Sequence, residues 1–221
     1  MNLQADSTEM LNSARIDYRN TLSLLETEIH ACPVEEFRKW FNRALEIDSE
    51  TPSAMTLATV SPQGAPHVRT VLLRDFNTQG FVFYTNYTSQ KAEELSHHSL
   101  AALLFYWPAL SMQVRIEGTV EKTSYEESNT YFQTRPRASQ VGAWISPQSQ
   151  VIANREVLDQ AFHAFEEKYA QQPIPCPFFW GGYRVKPTRF EFWKGRPSRL
   201  HDRICYAQKE GHNWEIHRLA P

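Results

Sequence analysis

Cysteine is scarce: Cys32, Cys176 and Cys205 are odd in number and far apart. With no CxxC pair, the sequence offers neither a disulfide framework nor a zinc site. A reduced, cytoplasmic protein is the expectation. An excess of one charge is lacking too. Lys plus Arg number 23 and Asp plus Glu 25, a net charge of -2. No global field then draws nucleic acid or an anionic membrane, and any anion must be bound locally. The longest apolar run, Leu100 to Leu110, falls far short of the ~20 residues that span a bilayer. Residues 1–30 are studded with Glu, Asp and Arg and read as no signal peptide. GxGxxG, GxxxxGK with Ser or Thr, HExxH and GxSxG are all missing, and His97 and His98 are adjacent rather than spaced as ligands. Rossmann nucleotide binding and metal catalysis therefore lose their usual support, and no metal is expected.

Aromatic residues are plentiful instead, at 13% with six Trp, which suits a ring-lined site or a large subunit interface. The length of 221 residues fits one large domain with an appendage. Residues 1–30 read as a flexible N-terminal segment and 31–221 as a single domain. Pro33 opens a helix, along which Phe37, Trp40, Phe41, Ala44 and Leu45 recur at helical spacing. From residue 53 the period changes. Ala54–Val60, Pro66–Arg74, Phe81–Thr85, Leu100–Trp107 and Ser111–Glu121 read as strands, with turn signals at Ser61–Gly64 and Asn77–Gly80. Thr88–Ser96 reads as a short helix between them. Ser124 and Glu127 form a capping box for a helix to about Thr134, stopped by Arg135-Pro-Arg137. Asn154 caps another helix. Gly182–Val185, Arg189–Trp193, Arg203–Gln208 and Asn213–Arg218 return to strands. The fold expected is mainly β with flanking helices, an antiparallel meander closing into a barrel.

Four groups of residues carry possible chemistry. Arg69 and Arg74 lie in an apolar strand, on opposite faces if it is regular, followed by Tyr84-Thr85 and by Ser89 and Lys91 at a helix start. Guanidinium forks and helix N-termini suit phosphate or carboxylate oxygens, although solvent-facing cations explain the same residues. Tyr131 and Arg135 share a helix face, with Arg137 and then Ser139 in the following loop. They make either a phosphate cradle or a basic helix end. Arg199, His201 and Arg203 fall on one face if extended, needing an anion or an electron-rich ring opposite, or else forming a charged edge. Gln148 and Ser149 sit in a polar loop, with Gln113 and Trp193 on strands. Amides and an indole of this kind can meet a heterocycle or be purely structural.

In this order and spacing, these groups resemble the pyridoxine (pyridoxamine) 5′-phosphate oxidase family. The similarity runs from about Arg15 to Pro221 and is carried by Arg69–Arg74, Phe83–Asn86, Tyr131–Gly142, Phe179–Gly182, Glu191–Trp193, Arg199–Arg203 and Arg218–Pro221. It implies an FMN-binding split β-barrel and a homodimer with FMN at the subunit interface. The implied reaction oxidises pyridoxine or pyridoxamine 5′-phosphate to pyridoxal 5′-phosphate, with O2 reduced to H2O2. By matching positions, FMN falls to Arg69, Thr70, Val71, Leu72, Leu73, Arg74, Tyr84, Thr85, Lys91, Gln113, Gln148, Ser149, Trp193 and Arg203. The substrate falls to Arg15, Tyr18, Arg74, Tyr131, Arg135, Ser139, Arg199, Leu200 and His201, with Arg199 and His201 catalytic. Three positions depart from the family pattern. Arg74 stands where lysine is common, Gln90 where an arginine often supports the FMN phosphate, and Thr51 where an acidic residue is often found. Other flavoenzymes on the same barrel, such as an FMN-dependent reductase, and a non-catalytic carrier of flavin or pyridoxal phosphate are the competing readings.

Overall fold

The computed structural model describes Tyr18 and residues 23–47, 51–209 and 213–221. Helix α1 (Pro33–Ile47) starts on its proline and buries Val34, Phe37, Trp40 and Ala44. Phe37 is fully buried and meets Phe76, Phe81 and Phe105 edge-on, so one ring ties the helix to three strands. Leu45, expected on the same face, is exposed. Among the described residues no helix is long and apolar enough to cross a membrane.

Among the described residues nine strands follow: β1 (Ala54–Val60), β2 (Pro66–Leu72), β3 (Asp75–Asn77), β4 (Gly80–Asn86), β5 (Leu100–Trp107), β6 (Met112–Lys122), β7 (Trp180–Lys194), β8 (Asp202–Gln208) and β9 (Trp214–Arg218). They form one antiparallel sheet in the order β2-β1-β5-β6-β7-β4-β3, with β8 and β9 continuing from β7. Strand β7 makes the sheet fork. Its first residues, Trp180–Val185, pair with β4, and its last, Arg189–Lys194, pair with β8, while β6 lines its length. The Arg74 amide donates to the Val82 carbonyl at 2.9 Å, drawing the end of β2 back to β4. The sheet thus curls into a split barrel around Leu57, Phe83, Leu103, Val114 and Phe190.

Two sequence expectations give way here. Gly182–Val185 and Arg189–Trp193 are parts of one strand, not two. Pro187 is tolerated because the ladder shifts register between Glu117 and Gly118, and proline occupies such bulges. Gly118 is required there, since a Cβ would lie 2.0 Å from the Lys186 carbonyl oxygen. The short strand β3 was not anticipated.

Helices α2 (Gln90–His97), α3 (Tyr125–Thr134), α4 (Arg137–Ile145) and α5 (Glu156–Lys168) flank the sheet. The Ser124 side chain accepts from the Glu127 amide, as the capping box predicts. Asn154 accepts from the Val157 amide at 3.2 Å. Residues 137–145, read as loop, are helical because Pro136 stands at the N-cap. Phe132, Val141, Ile174, Cys176 and Trp180 form a second small core under these helices.

Candidate active site

Two constellations emerge, at opposite ends of β7. The first is a cleft of about 340 Å³ lined by Arg69, Thr70, Val71, Leu72 and Arg74, with Tyr84, Thr85 and Lys91 below and Tyr131, Arg135, Gln148 and Trp180 across it. Arg69 and Arg74 share this cleft instead of facing apart. Strand β2 ends at Leu72, and alternation no longer governs the turn that follows. Strand β2 is an edge strand, paired only with β1, so its outer backbone groups remain available to a ligand. Leu73 instead turns into the core.

The floor of the cleft is cationic. Lys91 is 9% exposed and donates to Gln148 Oε1 at 2.8 Å, Thr85 Oγ1 at 3.2 Å and Ser89 Oγ at 3.3 Å. Burial, then the nearby Arg69 charge, pushes its ammonium down to about 8, with Glu94 opposing. Arg69 donates to Glu94 Oε2 at 3.0 Å, to Leu57 O at 3.3 Å and to the Thr59 hydroxyl. An adjoining hollow is lined by Pro66, His67, Val68, Arg69, Gln90, Lys91 and Ser149. Gln90 Nε2 lies 3.1 Å from His67 Nδ1.

The far wall is aromatic and again positive. Tyr84 stacks on Tyr131 at 4.0 Å and on Trp180 at 5.3 Å. Burial pushes the Tyr84 phenol up to about 12. The Arg135 guanidinium sits 4.7 Å over the Trp180 ring, with Nη1 buried and without a hydrogen-bond partner. Burial also lowers the Arg135 pKa. A buried, unpaired donor is costly, and an arriving anion removes that cost. Ser139, in the first turn of α4, does not line this cleft.

The second constellation is a row of cross-strand partners: Tyr106 faces Gln113, Gln113 faces Trp193, and Trp193 faces Arg203. Arg203 donates to Glu191 Oε1 at 2.8 Å and to the Ala220 carbonyl at 2.7 Å. Its Glu191 hydrogen bond raises its pKa further. His201 packs on Trp193 at 4.7 Å, and the Tyr18 ring meets both edge-on. Gly195 permits this, because a Cβ there would lie 2.5 Å from Tyr18. The Arg196 amide donates to His201 Nδ1 at 3.1 Å. The neutral ring therefore carries its proton on Nε2. Burial, then Arg199, lowers the His201 pKa.

Arg199, His201 and Arg203 do not share one strand face. Residues 197–199 form a 3₁₀ turn in which Ser198 (φ 58°) and Arg199 (φ 60°) are left-handed, and β8 starts only at Asp202. Arg199 and Leu200 are exposed on this turn. Arg15 lies outside the described residues. Trp180, Glu94, Glu191 and Tyr106 were missed as site residues. Glu94 had a local signal, standing three residues after Lys91 on one helix, and Trp180 and Glu191 lie inside stretches that carry the family resemblance.

Gly181, the cross-strand partner of Thr85, is separated from Trp193 by about 40 Å of strand path at ~3.3 Å per residue. None of Gln113, Trp193, His201 and Arg203 lines the Lys91 cleft.

Comparison with known proteins fits this architecture. Residues 41–169 match the family model described as pyridoxamine 5′-phosphate oxidase. Residues 180–221 match the one described as pyridoxine 5′-phosphate oxidase C-terminal dimerisation region. The chain is 55% identical over 198 residues to a pyridoxine/pyridoxamine 5′-phosphate oxidase of Gloeothece citriformis, covering 90% of this chain and 92% of that protein. It is 51% identical over 221 residues to the protein so named in Acaryochloris marina, covering 100% of both. Among solved structures, PhzG of Burkholderia lata in complex with tetrahydrophenazine-1-carboxylic acid superposes with a TM-score of 0.84 at 25% identity, over 91% of this chain and 100% of that one. With both family models matched in chain order and full-length relatives at half identity, this chain belongs to the pyridoxamine 5′-phosphate oxidase family.

Proposed function

We propose that this protein is an FMN-dependent oxidase that converts pyridoxine or pyridoxamine 5′-phosphate to pyridoxal 5′-phosphate, with O2 reduced to H2O2. It acts as a homodimer with FMN at the subunit interface. The observation that carries this reading is the cleft between Lys91 and Arg135. Lys91 and Arg69 form one cationic pole, and Arg74 and Arg135 form another. Lys91 is buried among neutral acceptors, and Arg135 holds an unpartnered buried donor. Two poles of this kind suit two phosphates, one of a cofactor and one of a substrate.

The residues present fit FMN. Lys91 and Arg69 hold its phosphate, helped by the Thr85 hydroxyl and by Ser149 in the adjoining hollow. The edge strand β2 offers backbone donors and acceptors at Thr70–Leu72 to a flavin ring, and Gln148 adds an amide. Gln113, Trp193 and Arg203 serve the flavin too, from the other subunit of the dimer; that none of them lines the Lys91 cleft supports this reading. This is the support for a composite dimer site, together with the matched dimerisation region. When bound, FMN supplies a two-electron acceptor whose N5 takes the hydride from substrate C4′ and whose reduced form is reoxidised by O2.

The chain does the rest. Tyr131, Arg135 and Arg74 anchor the substrate phosphate, fixing the far end of a small molecule so that its reactive carbon is held in place. Ser139 is assigned to the same phosphate from the α4 N-terminus. Arg199, Leu200 and His201, which lie with Trp193 and enter the composite site with it, cover the substrate ring, and the His201 Nε2–H donates to the substituent on C4′. Arg203 holds positive charge where negative charge builds up during reduction. The Tyr18 ring lies against Trp193 and His201 and closes that end of the site, and Arg15 is assigned to the substrate by the family resemblance. Three free cysteines suit a cytoplasmic enzyme.

The test is anaerobic. Protein loaded with FMN is mixed with pyridoxine 5′-phosphate and flavin absorbance is followed. Bleaching that air reverses supports the reading. Flavin that stays oxidised with this substrate and with pyridoxamine 5′-phosphate, yet is reduced by NAD(P)H, replaces it with a reductase.

A further inference from the structure

Glu94 is a buried carboxylate, 2% exposed, that the chemistry above does not use. It lies on α2, three residues after Lys91, and points at β1 and β2. One carboxylate oxygen receives Arg69 Nη2 at 3.0 Å and the Thr59 hydroxyl, while the other meets His67 Nδ1. The Thr59 hydroxyl in turn accepts from Arg69 Nη1. One side of the guanidinium is thus clamped by a carboxylate, a hydroxyl and the Leu57 carbonyl. Arg69 also lines the cleft and the hollow beside it.

We propose that Glu94 is a positioning residue for the cofactor phosphate: directly and through Thr59 it locks the Arg69 guanidinium in the orientation that receives phosphate oxygens. The proposal rests on the FMN reading of this cleft. A planar fork is selective only when its plane is fixed, and an unclamped arginine spends binding energy on ordering its side chain. Glu94 also acts on Lys91. The charged or titratable groups around that ammonium are Arg69 and His67 from β2 and Glu94 from its own helix, the loop and β4 neighbours Gln148, Ser149 and Thr85 being neutral. Glu94 is the one anion among them, and it helps keep Lys91 protonated. Helix α2 therefore carries both a phosphate ligand and the group that aims the second ligand.

The probes are FMN and riboflavin, which differ by the phosphate alone. Their affinities for flavin-free, full-length protein are read from the quenching of flavin fluorescence. Glu94→Gln keeps the size and removes the charge. It is expected to weaken FMN about tenfold, as loss of a carboxylate behind a ligand commonly does, while riboflavin affinity stays unchanged. Glu94→Asp restores part of the loss. In Glu94→Gln, FMN affinity also begins to fall at a lower pH than in the parent, because Lys91 has lost its anion. Thr59→Val, which breaks the bridge but leaves the carboxylate, shows a smaller loss, again for FMN alone. Equal loss for FMN and riboflavin, or no loss for FMN, overturns the proposal. Equal affinity of the unmodified protein for the two flavins overturns the phosphate assignment itself, and the proposal with it.

Discussion

The Lys91 ammonium lies 2.8 Å from the Gln148 amide oxygen, and its other two acceptors are the hydroxyls of Thr85 and Ser89. A buried cation served by neutral oxygens costs stability and awaits an anion. Its pKa is lowered from 10.5 to about 8, so between these values the unfolded chain binds the extra proton. Stability of the flavin-free protein then rises with pH across that window. Lys91→Met should remove this rise and stabilise the flavin-free protein by about 1 kcal/mol at neutral pH. It should weaken FMN roughly ten- to a hundredfold, the worth of one charged hydrogen bond. Urea melts at several pH values and an FMN titration check both.

A site assembled from two chains makes a stoichiometric prediction. Lys91→Met damages the phosphate end and Arg203→Met the end beyond Trp193. Each variant alone should be nearly inactive. Unfolded together and refolded at equal ratio, they should recover about a quarter of parental activity, because half the dimers are mixed and each then holds one intact site. No recovery in mixed dimers isolated by two different tags counts against a shared site.

His201 titrates below the ordinary histidine range through burial and the neighbouring Arg199 charge. Replacing Arg199 with Met should raise the His201 pKa, and so move the acid limb of single-turnover flavin reduction to higher pH. The maximal rate should drop as well, since the proposed function has Arg199 covering the substrate. Stopped-flow reduction across the acid range reads both effects, and an acid limb that does not move removes His201 from the pH profile.

Gly118 has no room for a methyl group, with the Lys186 carbonyl 2.0 Å from the position of a Cβ. Gly118→Ala should cost about 3 kcal/mol through forced movement of backbone, seen as a lower denaturation midpoint. The bend it supports lies between the two ends of β7, so FMN affinity should fall with it.

The sheet was legible because its strands alternate or run apolar in bursts bounded by turns, as in Ala54–Val60 and Leu100–Trp107. Strand β3 was not, because three residues with Asp and Asn at its ends carry no period. Helix α4 was hidden by Pro136. Proline stops α3, but it also starts the next helix, and the sequence signal for the two is the same. The Arg199–Arg203 cluster was singled out as one face of an extended strand, and the structure shapes it otherwise. Left-handed Ser198 and Arg199 have no glycine to announce them, and such strain is imposed by surroundings rather than by local preference. The residue types that line the Lys91 cleft were readable in order along the chain. Its orienting shell, Glu94 with Thr59 and Glu191 with Arg203, was not, because those contacts join residues distant in sequence or across strands.

Strand β7 behaves as a ruler. Trp180 stands near its start beside the phosphate cleft, and Trp193 near its end beside His201. Side chains alternate along a strand, so gaining or losing one residue between these marks turns every later side chain to the other face. Trp193 would then point away from Tyr18 and His201, and the register against Gln113 and Arg203 would be lost in the same step. Exchange of residue types along β7 is a graded change, while a change in its count is all-or-none. Insertions and deletions should therefore be tolerated in the connections and not between the two tryptophans, whose spacing along β7 sets the distance between the two halves of the site.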